Sequence, residues 1–171
     1  MRISDPEVHT GDKTFKILLV DDQALMVKLY YIILNGYFHT KEVEMLTGAG
    51  VEKQAQHFVK YDDFLPDLAI LDIDLDGKSH DPRGNFDAIN GVTLGKEILR
   101  RKPDSYILFL TGLPEEHPWV QDAQFLVGRK QVVGKKTVED VRFILDQIPN
   151  KEFLIPEADR ISCFNRCKII K

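Results

Sequence analysis

The chain has 171 residues, of which 43% are hydrophobic and 29% are charged, and its formal net charge is −4. This length and balance are typical of one globular domain with some chain to spare, and a core of that size needs no disulfide or structural metal. The negative charge argues against a nucleic-acid-binding domain, and no apolar run is long enough for a signal peptide or a membrane span.

Short apolar runs alternate with stretches of helical periodicity along the chain. The run over 68–71 is the clearest, because it is apolar throughout, as parallel strands covered on both faces usually are. The predicted elements are, in chain order, a strand over 15–20, a helix over 23–34, a strand over 43–47, a helix over 51–61, a strand over 68–71, a helix over 92–101, a strand over 106–110, a helix over 118–126, a strand over 131–133 and a helix over 137–148.

Five strand–helix alternations predict an α/β fold, a doubly wound (βα)₅ domain with a five-stranded parallel sheet. We assign this domain to residues 15–148. Residues 1–14 are polar and aperiodic and predict a flexible arm. The extension over 149–171 is too apolar for a linker, and we expect a helical segment that packs on the domain or on a partner. A polar stretch over 76–90 interrupts the alternation and predicts an enlarged loop.

Chemically capable side chains follow four of the predicted strands. Asp21 and Asp22 follow the first, Asp72 the third, Thr111 the fourth, and Lys135 lies just past the fifth. In open α/β sheets the reactive groups gather outside the carboxyl ends of the strands, so we expect these side chains to converge. Crowded carboxylates repel each other, and a hard cation such as Mg²⁺ relieves that repulsion through oxygen ligands.

A carboxylate in such a cluster can also act as a nucleophile on phosphorus and form an acyl phosphate. Phosphoryl transfer depends mainly on stabilising negative charge on the phosphoryl oxygens. We expect Mg²⁺, the Thr111 hydroxyl and the Lys135 ammonium to do this, with Asp72 as the phosphoacceptor. Gly112 would leave room beside the phosphoryl group.

At these residues the chain resembles the response-regulator receiver domain of two-component signalling, over about residues 15–148. The resemblance implies the flavodoxin-like (βα)₅ topology and phosphotransfer to Asp72 from a histidine kinase or a histidine phosphotransfer protein. The matching stretches are Ile17-Leu18-Leu19-Val20-Asp21-Asp22, Pro66-Asp67-Leu68-Ala69-Ile70-Leu71-Asp72-Ile73-Asp74-Leu75, Leu108-Phe109-Leu110-Thr111-Gly112 and Val132-Val133-Gly134-Lys135.

The resemblance also implies roles for single residues. Asp22 and Asp72 would bind Mg²⁺ directly, Asp21 would bind it through water, and the Asp74 backbone carbonyl would complete the site. The chain would be a cytoplasmic, stand-alone receiver that catalyses only its own phosphorylation and dephosphorylation. It would signal by binding a downstream protein, with a homodimer as a further option.

Four positions depart from the family pattern. Asp76 stands where a proline is common, and Asn90-Gly91 matches the family's glycine after a displacement of about eleven residues. Val132 stands where an aromatic switch residue is common, so the coupling of threonine to an aromatic side chain that is usual in the family lacks its aromatic partner here. Lys136 replaces the proline that usually follows the lysine, and it is a second candidate for the ammonium role.

Two other functions remain open from the sequence. Asp72 and Asp74 also resemble the nucleophile and general acid of a haloacid-dehalogenase-like phosphatase, although that family begins at this strand and would leave Asp21 and Asp22 without a role. The chain could instead be a receiver-like interaction module that works without phosphorylation.

Overall fold

Five parallel strands form one sheet in the computed structural model, which describes residues 14–38, 43–49, 64–75 and 90–134. The predicted arm, the helices over 51–61 and 137–148, the loop over 76–89, the extension over 149–171, and both Lys135 and Lys136 lie outside these residues. The strands are β1 (Phe15–Asp21), β2 (Val43–Ala49), β3 (Leu68–Asp72), β4 (Tyr106–Thr111) and β5 (Val132–Gly134).

The strands lie in the order β2-β1-β3-β4-β5, and every neighbouring pair is parallel. The order first moves from β1 to β2 at one edge and then returns across β1 to β3. This reversal is the switch point of a doubly wound sheet. The predicted five-stranded parallel sheet and its doubly wound topology are confirmed.

Three helices are described, and glycine, asparagine and proline residues mark several of their ends. Helix α1 (Ala24–Asn35) ends at Gly36. Helix α2 (Gly91–Arg101) begins after Asn90, whose side chain accepts a hydrogen bond from the Thr93 N–H at 3.0 Å. Helix α3 (Pro118–Val127) begins with a proline, which is favourable at a first helical position, and ends before a glycine with φ of +93°. A short 3₁₀ turn covers Arg129–Gln131.

The core has two halves, one on each face of the sheet. Successive side chains of a strand point to opposite faces, so alternate residues of β1 and β3 contribute to different halves. Helix α1 covers one half, and helices α2 and α3 cover the other. The half under α1 contains Ile17, Leu19, Leu68, Ile70, Val27, Tyr30 and Leu34, and the other half contains Leu18, Val20, Ala69, Leu71, Leu94, Ile98, Phe109 and Trp119.

Some details differ from the sequence prediction. Strand β2 continues to Ala49 rather than closing after residue 47, because it pairs with β1 along all seven of its residues. Helix α2 begins at Gly91, one residue earlier than predicted, because Asn90 is buried and caps it. In α1, Leu25 and Leu29 are 76% and 37% exposed. The helix carries two overlapping apolar stripes, and periodicity alone does not say which one faces the sheet.

Candidate metal and phosphoacceptor site

The ends of β1 and β3 bring Asp21 and Asp72 side by side. Val20 lies opposite Leu71 in the register of these two neighbouring strands, so the next residues, Asp21 and Asp72, lie at the same level. The two strands flank the switch point of the sheet, which is where ligands bind in doubly wound folds. This position in the fold therefore suits a ligand.

Asp22 completes a cluster of three carboxylates. Asp21, Asp22 and Asp72 each offer an oxygen atom, and these oxygens all lie within 4.8 Å of one another. Asp21 and Asp72 are 2% and 4% exposed, and Asp22 is partly exposed. At this spacing each pair of like charges repels by about 1 to 3 kcal/mol, depending on the local dielectric. Hard cations such as Mg²⁺ and Ca²⁺ take carboxylate oxygens as ligands, so this donor set fits one divalent ion.

Backbone amides orient two of these carboxylates. The Gln23 N–H donates to Asp21 Oδ1 at 2.9 Å, and the Asp74 N–H donates to Asp72 Oδ1 at 3.4 Å. Both bonds close a short turn immediately after the strand, which sets the plane of the carboxylate relative to its own backbone. The coordination of a metal by the Asp74 carbonyl stays a prediction.

Thr111 ends β4 with a buried hydroxyl. Its side chain is 4% exposed, and Oγ1 accepts a hydrogen bond from the Leu113 N–H at 3.0 Å. A hydroxyl has one donor and two acceptor positions, so this bond leaves the O–H proton to donate elsewhere. The hydroxyl proton can therefore be donated to a further acceptor, and its donation to a phosphoryl oxygen stays a prediction.

The remaining predicted site residues are Lys135, its substitute Lys136, and Gly112. In the register of β4 and β5, Thr111 lies opposite Gly134, the last residue that the structure describes before Lys135. The role of Lys135, and that of Lys136 as its substitute, therefore stays a prediction. Among the described residues, none comes within 4 Å of a Cβ at Gly112, so none of them requires a glycine at this position.

A cleft of about 420 Å³ lies beside Thr111, between β4, α3 and β5. Val132, Val120 and Arg129 form part of its walls. Val132 is only partly buried. The small side chain at this position thus coincides with open space next to the Thr111 hydroxyl.

One contact at the site did not follow from the sequence prediction. Gly91, the first residue of α2, lies directly against the backbone of Asp72, and its N–H donates to the Ile73 carbonyl at 3.0 Å. The Asn-Gly pair before a helical period was the available signal, since asparagine favours a helix N-cap and glycine a close backbone approach. This pair did not show that the glycine would contact the backbone of Asp72.

No membrane-spanning helix is found among residues 14–38, 43–49, 64–75 and 90–134.

No protein-family model and no curated protein matches this sequence. Solved structures do match its fold. A CheY-like response regulator receiver domain protein from Methanospirillum hungatei JF-1 is 16% identical, with 81% of this chain and 97% of that chain covered and a TM-score of 0.57. A response regulator protein from Burkholderia pseudomallei, with a phosphorylated aspartic acid, a calcium ion and citrate, is 15% identical over 91% and 75% of the two chains, with a TM-score of 0.56.

A third match is the CheX–CheY–BeF3–Mg²⁺ complex from Borrelia burgdorferi, at 16% identity and a TM-score of 0.53. It covers 77% of this chain and 87% of that chain. At these identities the matches establish the fold alone. The chain has the fold of the response-regulator receiver domains.

Proposed function

We propose that this chain is a phosphoacceptor receiver domain in which Asp72 takes a phosphoryl group with the help of Mg²⁺. The observation that carries the proposal is the cluster of Asp21, Asp22 and Asp72 oxygens within 4.8 Å at the switch point of a receiver fold. Asp22 and Asp72 would hold the ion directly, Asp21 would hold it through water, and the Asp74 carbonyl would complete the set. Bound Mg²⁺ would neutralise charge on the phosphoryl oxygens.

The transfer needs a nucleophile and donors more than it needs acid–base chemistry. An Asp72 carboxylate oxygen forms a bond to phosphorus, and the phosphorus–nitrogen bond of a phosphohistidine donor breaks. The electron pair of that bond stays on the imidazole nitrogen, which takes up a proton from solvent. The Thr111 hydroxyl donates to a phosphoryl oxygen, and the Lys135 ammonium is proposed to do the same.

The partners follow from this chemistry. A histidine kinase or histidine phosphotransfer protein would supply the phosphoryl group in the cytoplasm, and a downstream protein or a second copy of the chain would read the phosphorylated state. Turnover would be limited to the chain's own Asp72, so the protein would not be an enzyme acting on other substrates.

The phosphatase alternative is less well supported by the same cluster. A haloacid-dehalogenase-like reading uses Asp72 and Asp74 and has no role for carboxylates from an earlier strand. Here carboxylate oxygens of Asp21 and Asp22 lie within 4.8 Å of one of Asp72, which supports a site that includes the end of β1. An aryl phosphate assay under multiple-turnover conditions separates the two functions, because a receiver gives little steady hydrolysis and a phosphatase gives much.

Acetyl phosphate with Mg²⁺ and intact-mass measurement tests the proposal directly. We expect the wild type to gain the mass of one phosphoryl group and Asp72→Ala to gain none. Asp67→Asn is the matched control, because this carboxylate lies at the opposite end of β3 and should leave the gain unchanged. An interaction module that works without phosphorylation gives no gain in the wild type, and a gain that persists in Asp72→Ala excludes Asp72 as the acceptor.

A further inference from the structure

The chain is anchored at both sides of the stretch that follows β3. Leu75, where the described chain leaves, and Asn90, where it returns, are 3% and 5% exposed. At the return, the Asn90 side chain accepts from the Thr93 N–H at 3.0 Å and from the Thr93 hydroxyl at 3.3 Å. The Gly91 N–H then donates to the Ile73 carbonyl at 3.0 Å. The start of α2 is therefore bonded to the backbone one residue beyond Asp72.

Gly91 approaches Asp72 more closely than any other residue type could. An ideal Cβ at position 91 would lie 1.8 Å from the Asp72 carbonyl oxygen and 2.8 Å from its carbonyl carbon. Real Cβ atoms essentially never come within 3.0 Å of such an atom. The obstacle is backbone rather than a flexible side chain, so a larger residue would have to separate α2 from β3 by more than about 1 Å.

Space, and not conformation, makes glycine necessary here. Gly128 is the glycine with positive φ among the described residues, and Gly91 is not in that region. Substitution at Gly91 would therefore act by displacing the backbone of Asp72 or the start of α2. The Asp72 carboxylate is oriented by the backbone that follows it, through the Asp74 N–H, so a shift of that backbone moves the carboxylate too.

We propose that Gly91 is a positioning residue for the acceptor carboxylate. Its missing side chain lets α2 begin against the Asp72 carbonyl, and this contact holds Asp72 in register with Asp21 and Asp22. The inference rests on the proposed function, because it assigns Gly91 to the same site. Misplacing a reacting group by about 1 Å can slow a reaction about 100-fold, and disturbing the support of a metal ligand typically weakens metal binding about 10- to 100-fold.

Gly91→Ala and Gly95→Ala form a matched pair of variants in α2. They make the same chemical change four residues apart in one helix. A Cβ at Gly95 would meet the Phe109 ring at 2.8 Å, which is also a tight contact, but it belongs to the core. Both variants should unfold at a lower temperature, and only Gly91→Ala should disturb the carboxylates.

Two readouts distinguish positioning from loss of stability. Calorimetric titration with Mg²⁺ should give a dissociation constant raised about 10-fold or more in Gly91→Ala. Phosphorylation by acetyl phosphate at saturating Mg²⁺ should be about 100-fold slower. Gly95→Ala should stay close to the wild type in both, at a temperature where circular dichroism shows all three proteins folded. Equal losses in both variants, or wild-type values in Gly91→Ala, would overturn the inference.

A second pair of variants tests the inference if Gly91→Ala does not fold. Asn90→Ala removes the cap that holds the start of α2, and His117→Ala removes the cap of α3, where the His117 ring nitrogen accepts from the Trp119 N–H at 3.2 Å. Each costs about 1 kcal/mol of helix stability. Asn90→Ala should weaken Mg²⁺ binding and slow phosphorylation, and His117→Ala should change neither. If both Asn90→Ala and His117→Ala keep wild-type values, Gly91 has no positioning role.

The wild type shows which claim fails. A wild type that neither binds Mg²⁺ nor gains a phosphoryl group overturns the proposed function, and the inference with it. A wild type that does both, beside a Gly91→Ala variant that matches it, overturns only the role of Gly91.

Discussion

The two ends of the sheet hold carboxylates in different arrangements. At the amino end, just before β3, the Asp67 carboxylate accepts from the Lys16 N–H at 2.8 Å and forms an ion pair with the Lys102 ammonium. At the carboxyl end, Asp21 and Asp72 share a cluster with a third carboxylate. One end pairs its carboxylate with the Lys102 ammonium, whereas the other end brings three carboxylates within 4.8 Å of one another.

The amino end is built for stability. The Asp67 backbone also joins neighbouring strands, since its N–H donates to the Lys16 carbonyl and its carbonyl accepts from the Tyr106 N–H, both at 2.8 Å. Nearby, the Ser105 hydroxyl donates to the Pro66 carbonyl at 2.7 Å. The carboxyl end instead brings three carboxylates close together, and repulsion between like charges opposes stability. Natural proteins concentrate such local conflicts at functional sites, and here the conflict is repulsion among carboxylates.

Removing the carboxylate at the amino end should have the largest effect on stability. Asp67→Ala leaves the Lys102 ammonium without its partner, with only 21% of that side chain exposed, and leaves the Lys16 N–H without an acceptor. We expect the free energy of unfolding to fall by about 3 kcal/mol, as is usual when one partner of a largely buried ion pair is removed. Urea unfolding measures this change.

The control for this variant is an exposed ion pair on α2. Glu97 and Arg100 pair at 2.7 Å with side chains that are 36% and 71% exposed. Because solvent screens this pair, Glu97→Gln should change the urea midpoint far less than Asp67→Ala does. Equal changes in the two variants would mean that the amino end is not a special source of stability.

Added Mg²⁺ should act only at the carboxyl end. A ligand that binds the folded state at 100 times its dissociation constant stabilises it by about 2.7 kcal/mol, or roughly 5 to 11 °C in melting temperature for a domain of this size. Asp22→Asn should lose most of this increment, because it removes a proposed direct ligand. Thermal unfolding with and without Mg²⁺ measures it, and Asp67→Asn should keep the full increment.

The sequence predicted the cluster at the carboxyl end because that cluster follows from the topology of the sheet alone. Once strands and helices alternate, parallel strands must end at one edge, so Asp21, Asp72 and Thr111 could be placed together without knowing any contact. The same reasoning could not find the pairing of Asp67 with Lys102. These residues lie 35 positions apart, and their pairing depends on where the end of α2 comes to rest beside the turn before β3.

The close approach of Gly91 to Asp72 shows the same limit at the site itself. The sequence shows that the chain after β3 is polar, but it does not show which backbone the chain contacts when it returns to the sheet at Gly91. Helix α1 shows the same limit of sequence-based prediction for side-chain packing. Leu25 and Val27 are both apolar, yet Leu25 is 76% exposed and Val27 is buried, since helix rotation depends on the sheet beneath it. Periodicity predicted the helix and left its rotation open.

The sign of a single charge removal gives the sharpest contrast between the two ends. Asp21→Asn keeps an oxygen that can accept from the Gln23 N–H and removes one of the three clustered charges. Without Mg²⁺ we expect it to raise the free energy of unfolding by about 2 kcal/mol, because it removes two of the three pairwise repulsions, each of about 1 kcal/mol at its lower bound. Asp67→Asn should lower it, because the same change there breaks an attraction. Urea unfolding in a chelating buffer measures both. If Asp21→Asn also lowers stability, repulsion does not dominate at the carboxyl end, and the case that the cluster calls for a cation weakens with it.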